Sequence, residues 1–555
     1  MDKNTLLALL LIGLVLLLWP LYMKKVVGVK ENVQKPVAKS SKVEKQSKEP
    51  TAVPLPEKRT EEITEKSVSP IKVSAIANKE KPDTLVVETN LFRGLLSSAG
   101  GGTIISWKLK KYFKGDKKDS VLVELIPDSA RGNLAIIPED KWQGFSDAVF
   151  HVTLDSQWVE GGRKYHMIRF SRNFGKTSRL EKEFLFHDDS YGVDLKVRFF
   201  SFTPATIGER YTIHWTSGLA PTEKQVKKDL PYYQAYALQG GELLKTKGKS
   251  TGIREGNTSW VALRTKYFLL AIIPEKPQGS AVKLEGSKIK IKDEKGNKEN
   301  WKQFSVNLLM PYRGAAEEAA HLLVYLGPMD YLAIKSFGVK LEKMMNFGMA
   351  IIRPFSIAFY YTLQFLYKIL HNYGWAIILF SILIKLVLYP LTRKSYKSMH
   401  AMQELQPKMT AIREKYKKDP QRMNQEIMKL YKQHGVNPMG GCLPLILQLP
   451  ILYALFTLFR TTILLRQAGF LGLIKDLSAP DGILGGINLL PILMGATMII
   501  QQRLSTQDPK QKAMAYMMPL FFSFIFYKMS AGLNLYYLMF NILTIAQEMF
   551  IRKHK

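Results

Sequence analysis

Six continuous apolar stretches mark this chain, one at the start and five near the end. The first, residues 5–23 (TLLALLLIGLVLLLWPLYM), is long enough to span about 30 Å of hydrocarbon. No small-residue cleavage site follows it, and Trp19 and Tyr22 suit an interfacial belt, so it predicts an uncleaved anchor over 1–29. The other five lie at about 374–391, 443–464, 486–502, 514–530 and 533–550. Residues 30–83 carry prolines at 36, 50, 54, 56, 70 and 82 and keep no period, which reads as a flexible linker. From 84 to 328 the pattern shortens. Runs such as TLVVE at 84, GTIISWKLKKY at 102, VFHVTL at 149, GVDLKVRFFSF at 192 and AVKLEG at 281 alternate with Gly-Gly and Asp/Gly turn signals. Many short strands at that spacing predict one large all-β domain, a sandwich or barrel. Residues 329–372 mix apolar and basic positions at helical spacing and predict interfacial amphipathic helices.

One residue breaks the apolar pattern. Lys385 stands in the middle of GWAIILFSILIKLVLYPLTR, at 374–393. A charge at bilayer depth costs several kcal/mol and normally faces a bundle interior or a wet cavity. Snorkelling does not reach far enough, because Arg393 lies eight residues on, about 12 Å along a helix. Ser381 shares the Lys385 face, one turn earlier. In the last stretch Asn534, Tyr537, Asn541, Thr544 and Glu548 follow at steps of 3, 4, 3 and 4, which puts all five on one helix face. Thr497 and Gln501 repeat the spacing in another stretch, and Gln448 adds an amide. Hydrogen bonds between packed helices account for the hydroxyls. They account poorly for a lysine unless Glu548 pairs with it, and the competing reading is a polar groove through the bundle.

Charge orients these elements. The net charge is +32, from 79 Lys and Arg against 47 Asp and Glu. Between the first two core stretches stand eleven basic residues, from Arg393 to Lys432, against Glu404, Glu414, Asp419 and Glu426. Short basic loops stay cytoplasmic. The expectation is six transmembrane helices, both termini in the cytoplasm and the β domain outside. The 393–440 segment reads as a helical hairpin broken near Asp419-Pro420, with a Met-rich stripe through Met399, Met402, Leu405, Met409 and Ile412. That stripe either closes the hairpin's own seam or offers an adaptable surface to apolar clients. Arg413, Lys417 and Lys418 would serve lipid headgroups or ribosomal RNA. A single cysteine, Cys442, excludes an intrachain disulfide. No Cys/His cluster suggests a structural metal, and no G-x-x-x-x-G-K-[ST] motif is present, so no cofactor is expected.

Three segments carry a family resemblance: YPLTRKSYKSMHAMQELQPKM at 389–409, VNPMGGCLPLILQLPI at 436–451 and AGLNLYYLMFNILTIAQ at 531–547. They resemble the YidC/Oxa membrane protein insertases. The β region, with GGGTIISWKLKKY at 100–112, is similar to the large periplasmic domain of the Gram-negative branch. The resemblance implies a helical membrane bundle over 373–555, a β-supersandwich outside it and a bacterial inner-membrane location. It also implies a hydrophilic groove holding a positive residue that aligns with Lys385. Most bacterial relatives have arginine there; lysine keeps the charge and loses the planar five-donor fork. Client-contacting positions align with Ser381 and Tyr537.

The expected function is therefore insertion of membrane proteins, without catalysis of a chemical reaction. A groove lined by Lys385, Ser381, Gln448, Thr497, Gln501, Tyr537 and Asn541 would solvate polar client segments part-way across hydrocarbon. Nascent membrane proteins, the ribosome, the Sec translocon and membrane lipids are the implied partners, with no sequence-specific nucleic acid. The competing class is a secondary transporter with an intramembrane lysine site. Neither an inverted repeat nor a paired acidic relay supports it.

Overall fold

The computed structural model describes residues 81–115, 121–138, 148–224, 226–246, 248, 250–292, 298–436, 443–483, 485–505 and 512–553. The expected anchor and all but residues 81–83 of the expected linker therefore lie outside the described residues.

Four short strands form one antiparallel sheet in sequence order: β1 (Thr84–Glu88), β2 (Phe92–Ser97), β3 (Thr103–Phe113) and β4 (Leu122–Glu124). A second, antiparallel sheet takes β5 (Ala135–Pro138), β6 (His151–Glu160), β7 (Arg163–Phe174), β8 (Ser178–His187), β9 (Gly192–Phe200), β10 (Arg210–Trp215), β11 (Gln234–Gln239), β12 (Glu242–Thr246), β13 (Arg254–Arg264), β14 (Phe268–Lys276), β15 (Gly279–Lys292), β16 (Lys298–Pro311) and β17 (Glu317–Pro328). Its order runs β5-β10-β16-β15-β13-β14-β17-β9-β8-β7-β6, with β11 and β12 added beside β13. The sheet is curled, because Ile136 near one end and Phe170 near the other share a single apolar core. Trp107 fills that core. It stacks on Phe92 with ring centroids 3.8 Å apart, and its indole N–H donates to the Leu326 carbonyl. At the β2–β3 turn Gly102 has φ +89°, and a Cβ there would run into Phe170 and Phe184, so only glycine fits.

The period-2 rule explains how this domain seats on the helices. Along β13, Val261 and Leu263 face the sandwich core, while Trp260 and Ala262 join a second cluster with the helical part. On β14, Leu270 and Ile272 face one way, and Leu269, Ala271 and Ile273 the other. Strands buried on both faces read as continuous apolar runs, as FLLAII at 268–273 does. The chain then crosses this face. Helix α1 (Tyr331–Lys335) is capped by the Asp330 carboxylate, and Trp260 Nε1 donates to the Val339 carbonyl.

Helix α2 (Arg353–Leu370) packs Phe359, Tyr360, Leu363 and Leu366 into the helical core and leaves Phe355, Phe365 and Ile369 exposed. Helix α3 (Tyr373–Glu404) is 32 residues long, about 48 Å, so it outruns the hydrocarbon thickness. This corrects the hairpin boundary. Nothing between Arg393 and Glu404 stops a helix, and the break falls at Leu405, because Pro407 has no N–H to give the carbonyl four residues back and its ring crowds that carbonyl. Met402 is therefore part of α3.

Residues Leu405–Val436 are a compact unit of their own, built from α4 (Gln406–Lys415) and α5 (Pro420–Gln433). Asp419 caps α5 through the Arg422 N–H. The seam buries Met409 and Tyr431, whose hydroxyl donates to the Met409 sulfur at 3.3 Å.

The remaining helices are α6 (Leu443–Thr461), α7 (Leu489–Ser505), α8 (Lys512–Phe526) and α9 (Ala531–Lys553). Helix α9 is the hub: it packs on α7, α3 and α6, and α8 packs on α7. Among the described residues, α3 is the helix long and apolar enough to cross a membrane unaided, and Leu489–Leu504 and Tyr516–Phe526 are shorter apolar helices.

Candidate client groove in the helical core

The polar stripe on α9 faces inward. Asn534, Tyr537, Asn541, Thr544 and Glu548 are all buried, while Ile542, Met549 and Phe550 on other faces are exposed. A helix that hides its polar face and shows its apolar one has the inverse of a soluble pattern, as a lipid-facing helix requires.

Lys385 comes to this stripe from α3 and is 7% exposed. Its ammonium donates to Thr544 Oγ1 at 2.7 Å, and that hydroxyl donates on to the Phe540 carbonyl at 2.8 Å. The ammonium also lies 4.8 Å from the Phe540 ring centroid and 5.7 Å from that of Tyr396. Cation–π attraction of this kind strengthens where water is excluded. One turn along α9, Gln547 Nε2 donates to Thr392 Oγ1 at 3.2 Å, which ties the same two helices again. On the α7 side Asn541 Nδ2 donates to Thr497 Oγ1 at 3.3 Å, and Thr497 donates to the Met494 carbonyl. Asn534 Nδ2 donates to the Phe526 carbonyl of α8 at 3.2 Å.

Several acceptors and hydroxyls in this layer remain unused. Asn534 Oδ1, Tyr536 OH, Tyr537 OH and Gln547 Oε1 are buried without a protein partner among the described residues. Each such group costs about 1–3 kcal/mol when left bare. Together they rival the whole stability of an ordinary domain, so these groups require water or a polar client.

The sequence-predicted set is brought together only in part. Lys385, Tyr537, Asn541 and Thr497 share the α3–α9–α7 interior. Ser381 is buried on α3 but spends its hydroxyl on the Ile377 carbonyl at 2.8 Å, an i−4 back-bond. Gln448 is half-buried on α6 and makes no hydrogen bond to the set among the described residues; Gln501 is half-buried on α7. Thr544 proves to be the hydrogen-bond acceptor for Lys385, and the Glu548 carboxylate weighed from sequence also acts on that ammonium electrostatically. Thr392 and Gln547 escaped the sequence reading. Thr392 lies seven residues after Lys385, on the same helix face, and that spacing was the available signal. In the hairpin, Met409 is committed to its own seam, Lys417 and Lys418 are exposed in the turn, and Arg413 is half-buried.

A β domain seated on a bundle that hides polar side chains and shows apolar ones defines an integral membrane protein with a large water-soluble domain. Profiles of known families agree. Residues 365–555 match "60Kd inner membrane protein", and residues 84–357 match "YidC periplasmic domain". The chain is 36% identical to "Membrane protein insertase YidC" of Chlorobium phaeovibrioides, across 99% of this chain and 95% of that one. It is 32% identical to the protein of the same name from Syntrophus aciditrophicus, across 100% of each. A solved structure titled as an active YidC insertase with its first transmembrane domain resolved aligns at 18% identity and a TM-score of 0.36, covering 84% of this chain and 92% of that chain. The class is thus an inner-membrane insertase with a periplasmic domain. The chain belongs to the YidC family, and its clients are nascent membrane proteins.

Proposed function

We propose that the α3–α7–α9 interior is the groove through which polar client segments pass, with Lys385 as its charge and Tyr537, Asn541, Thr497 and Thr544 as its hydrogen-bonding wall. The observation that carries this is the hidden polar stripe of α9 beside a lysine, on which Asn534 Oδ1 and Tyr537 OH are buried without a protein partner among the described residues. A client segment entering there exchanges water for these groups, while its apolar helix leaves sideways into lipid, driven by burial of apolar surface. No nucleotide need be consumed, because partitioning supplies the free energy.

In this reading Lys385 rests against Thr544 and swings out to meet an acidic client segment. A single hydroxyl contact is weak enough to exchange: a net hydrogen bond is worth about 0.5–1.5 kcal/mol. The chain crosses the inner membrane six times with both termini cytoplasmic, and the 373–555 core works alone or with the Sec translocon. The exposed Lys417 and Lys418, with Arg413, face ribosomal RNA and anionic lipid from the cytoplasmic side. Met402, from the end of α3, is available to apolar clients, and Met409 becomes so only if the hairpin seam opens.

The test is insertion into proteoliposomes by Lys385→Glu, Lys385→Ala and Lys385→Arg, using one client with an acidic outer tail and a variant with a neutral tail. Reversal of the charge should cost the acidic client at least about tenfold, equal to about 1.4 kcal/mol. Ala should be intermediate, and Arg should keep most activity because it keeps the charge. Equal insertion of both clients by all three variants, at equal abundance, would remove Lys385 from the mechanism.

A further inference from the structure

The connection between α6 and α7 carries an apolar tip that the insertion reading does not use. Its beginning is fastened to the periplasmic domain. Ile463 belongs to the sandwich core. Arg466 Nε donates to Glu223 Oε1 at 2.9 Å, its Nη2 donates to the Phe113 carbonyl at 2.7 Å, and Gln467 Nε2 donates to the same carbonyl at 2.7 Å. The adjoining residues 468–477 therefore lie on the periplasmic side.

Phe470 and Ile474 then exchange backbone hydrogen bonds of 2.8 and 3.1 Å and close the three-residue turn Leu471-Gly472-Leu473. The base of the turn is fixed. Leu477 N–H donates to the Ala468 carbonyl, Gln467 N–H to the Asp476 carboxylate, and Gly532 N–H, at the start of α9, to the Leu477 carbonyl. Phe470 is buried against Gly374, where a Cβ would collide with its ring, and it meets Trp375 edge-on at 5.3 Å. The tip points away from all this. Leu471 is 62% exposed and Leu473 61%. Leu471 also holds φ +52°, a region that branched side chains seldom adopt. Turn tips in water take Gly, Asn, Asp or Ser for good local reasons. A rigid turn that strains its backbone to present two leucines is built for an apolar medium.

We propose that the Leu471–Leu473 tip is an anchor immersed in the acyl-chain boundary of the outer leaflet. Two observations select lipid as the occupant. The turn rests on Trp375, which is half-exposed at the head of α3, and aromatic side chains at span ends sit at the headgroup level. Exposed Lys475 follows directly and can lay its stem along the apolar surface with its ammonium at a lipid phosphate. Because 463–467 clamp the β domain, the anchor holds that domain at a set height over the bilayer.

The experiment uses the full chain in bilayer discs of phosphatidylethanolamine and phosphatidylglycerol. Cys442, the sole cysteine, is replaced by serine, and a nitroxide is attached at Leu473→Cys, with Leu471→Cys as the second site and Glu160→Cys, exposed beside the β6–β7 turn, as the water reference. Collision with oxygen, which concentrates in acyl chains, is compared with collision with a water-soluble nickel chelate. The oxygen-to-nickel ratio at 473 and 471 should exceed that at 160 several-fold. A ratio equal to that at 160 would place the tip in water, and low collision with both reagents would place it under protein. Either result overturns the anchor. Leu473 is the primary site because its backbone is unstrained, so a folding defect confined to Leu471→Cys leaves the test intact.

Discussion

Two buried lysines hold their amino groups in opposite ways, one in each half of the molecule. Lys182 on β8 is fully buried and donates to two backbone carbonyls, Gly100 at 3.1 Å and Leu134 at 2.7 Å. Backbone acceptors cannot turn aside, so this lysine is a cross-tie between the β2–β3 turn and the chain before β5. Lys385 donates to one rotatable hydroxyl, faces two aromatic rings and feels the charge of the Glu548 carboxylate on α9. That hold can be released without disturbing any backbone. The same contrast runs through both cores. Unpartnered buried atoms do occur in the β domain, at Thr103 Oγ1, Tyr191 OH and His214 Nε2, but they are scattered over separate strands and loops. In the helical part Asp481 Oδ1 lies in the α6–α7 connection, and four such atoms lie on α9 between Asn534 and Gln547. Satisfied polar groups make a scaffold rigid; unsatisfied ones, gathered on one helix, make a place for something else.

The largest expected effect falls on the scaffold. Trp107→Ala deletes a fully buried indole, and large-to-small changes of this kind cost about 3–5 kcal/mol. The thermal transition of the β domain should drop by many degrees, while crosslinks within the α3–α9 interior persist. Loss of the groove together with the β domain would show that the two regions do not differ in the way described.

A smaller effect is expected in the groove. Thr544→Val keeps the shape and removes the acceptor for Lys385, at about 0.5–1.5 kcal/mol. Insertion of an acidic-tailed client should fall a few-fold, and Thr544→Ser should restore it. The loss should not add to that of Lys385→Ala, since both remove one contact. Full additivity in the double variant would mean that Thr544 acts elsewhere.

A pH slope is expected in the scaffold as well. Burial pushes the Lys182 ammonium down from 10.5 to about 7. Between those values the unfolded chain carries the proton and the folded domain does not. Stability of the β domain should therefore rise with pH from about 7 to 10.5, and below 7 this group should add no slope. Lys182→Met should flatten the slope in chemical denaturation. An unchanged slope would assign it to other groups.

The sequence made the bundle's interior legible where period and chemistry coincided. The α9 stripe could be read residue by residue, because five polar side chains at helical spacing in an apolar helix have one geometric meaning. Ser381 was misleading for a physical reason: a buried helical serine can satisfy itself on the carbonyl four residues back, and spacing does not reveal that choice. The end of α3 was missed because basic residues suggested a loop. Helices propagate through lysine and arginine well, and Pro407 was the better boundary signal. Strand existence was legible from alternation. The seating of the β domain was not, since the all-apolar run at 268–273 shows burial on both faces without saying what covers the second one.

The most direct test of the groove is site-specific photocrosslinking of a stalled nascent membrane protein. Probes at Asn541 and Tyr537, on the hidden polar face of α9, are compared with probes at Ile542 and Met549 on its exposed face. Strong client adducts at 541 and 537 with weak ones at 542 and 549 are the predicted result. Adducts confined to 542 and 549, or equal on both faces, would contradict a client path through the polar interior.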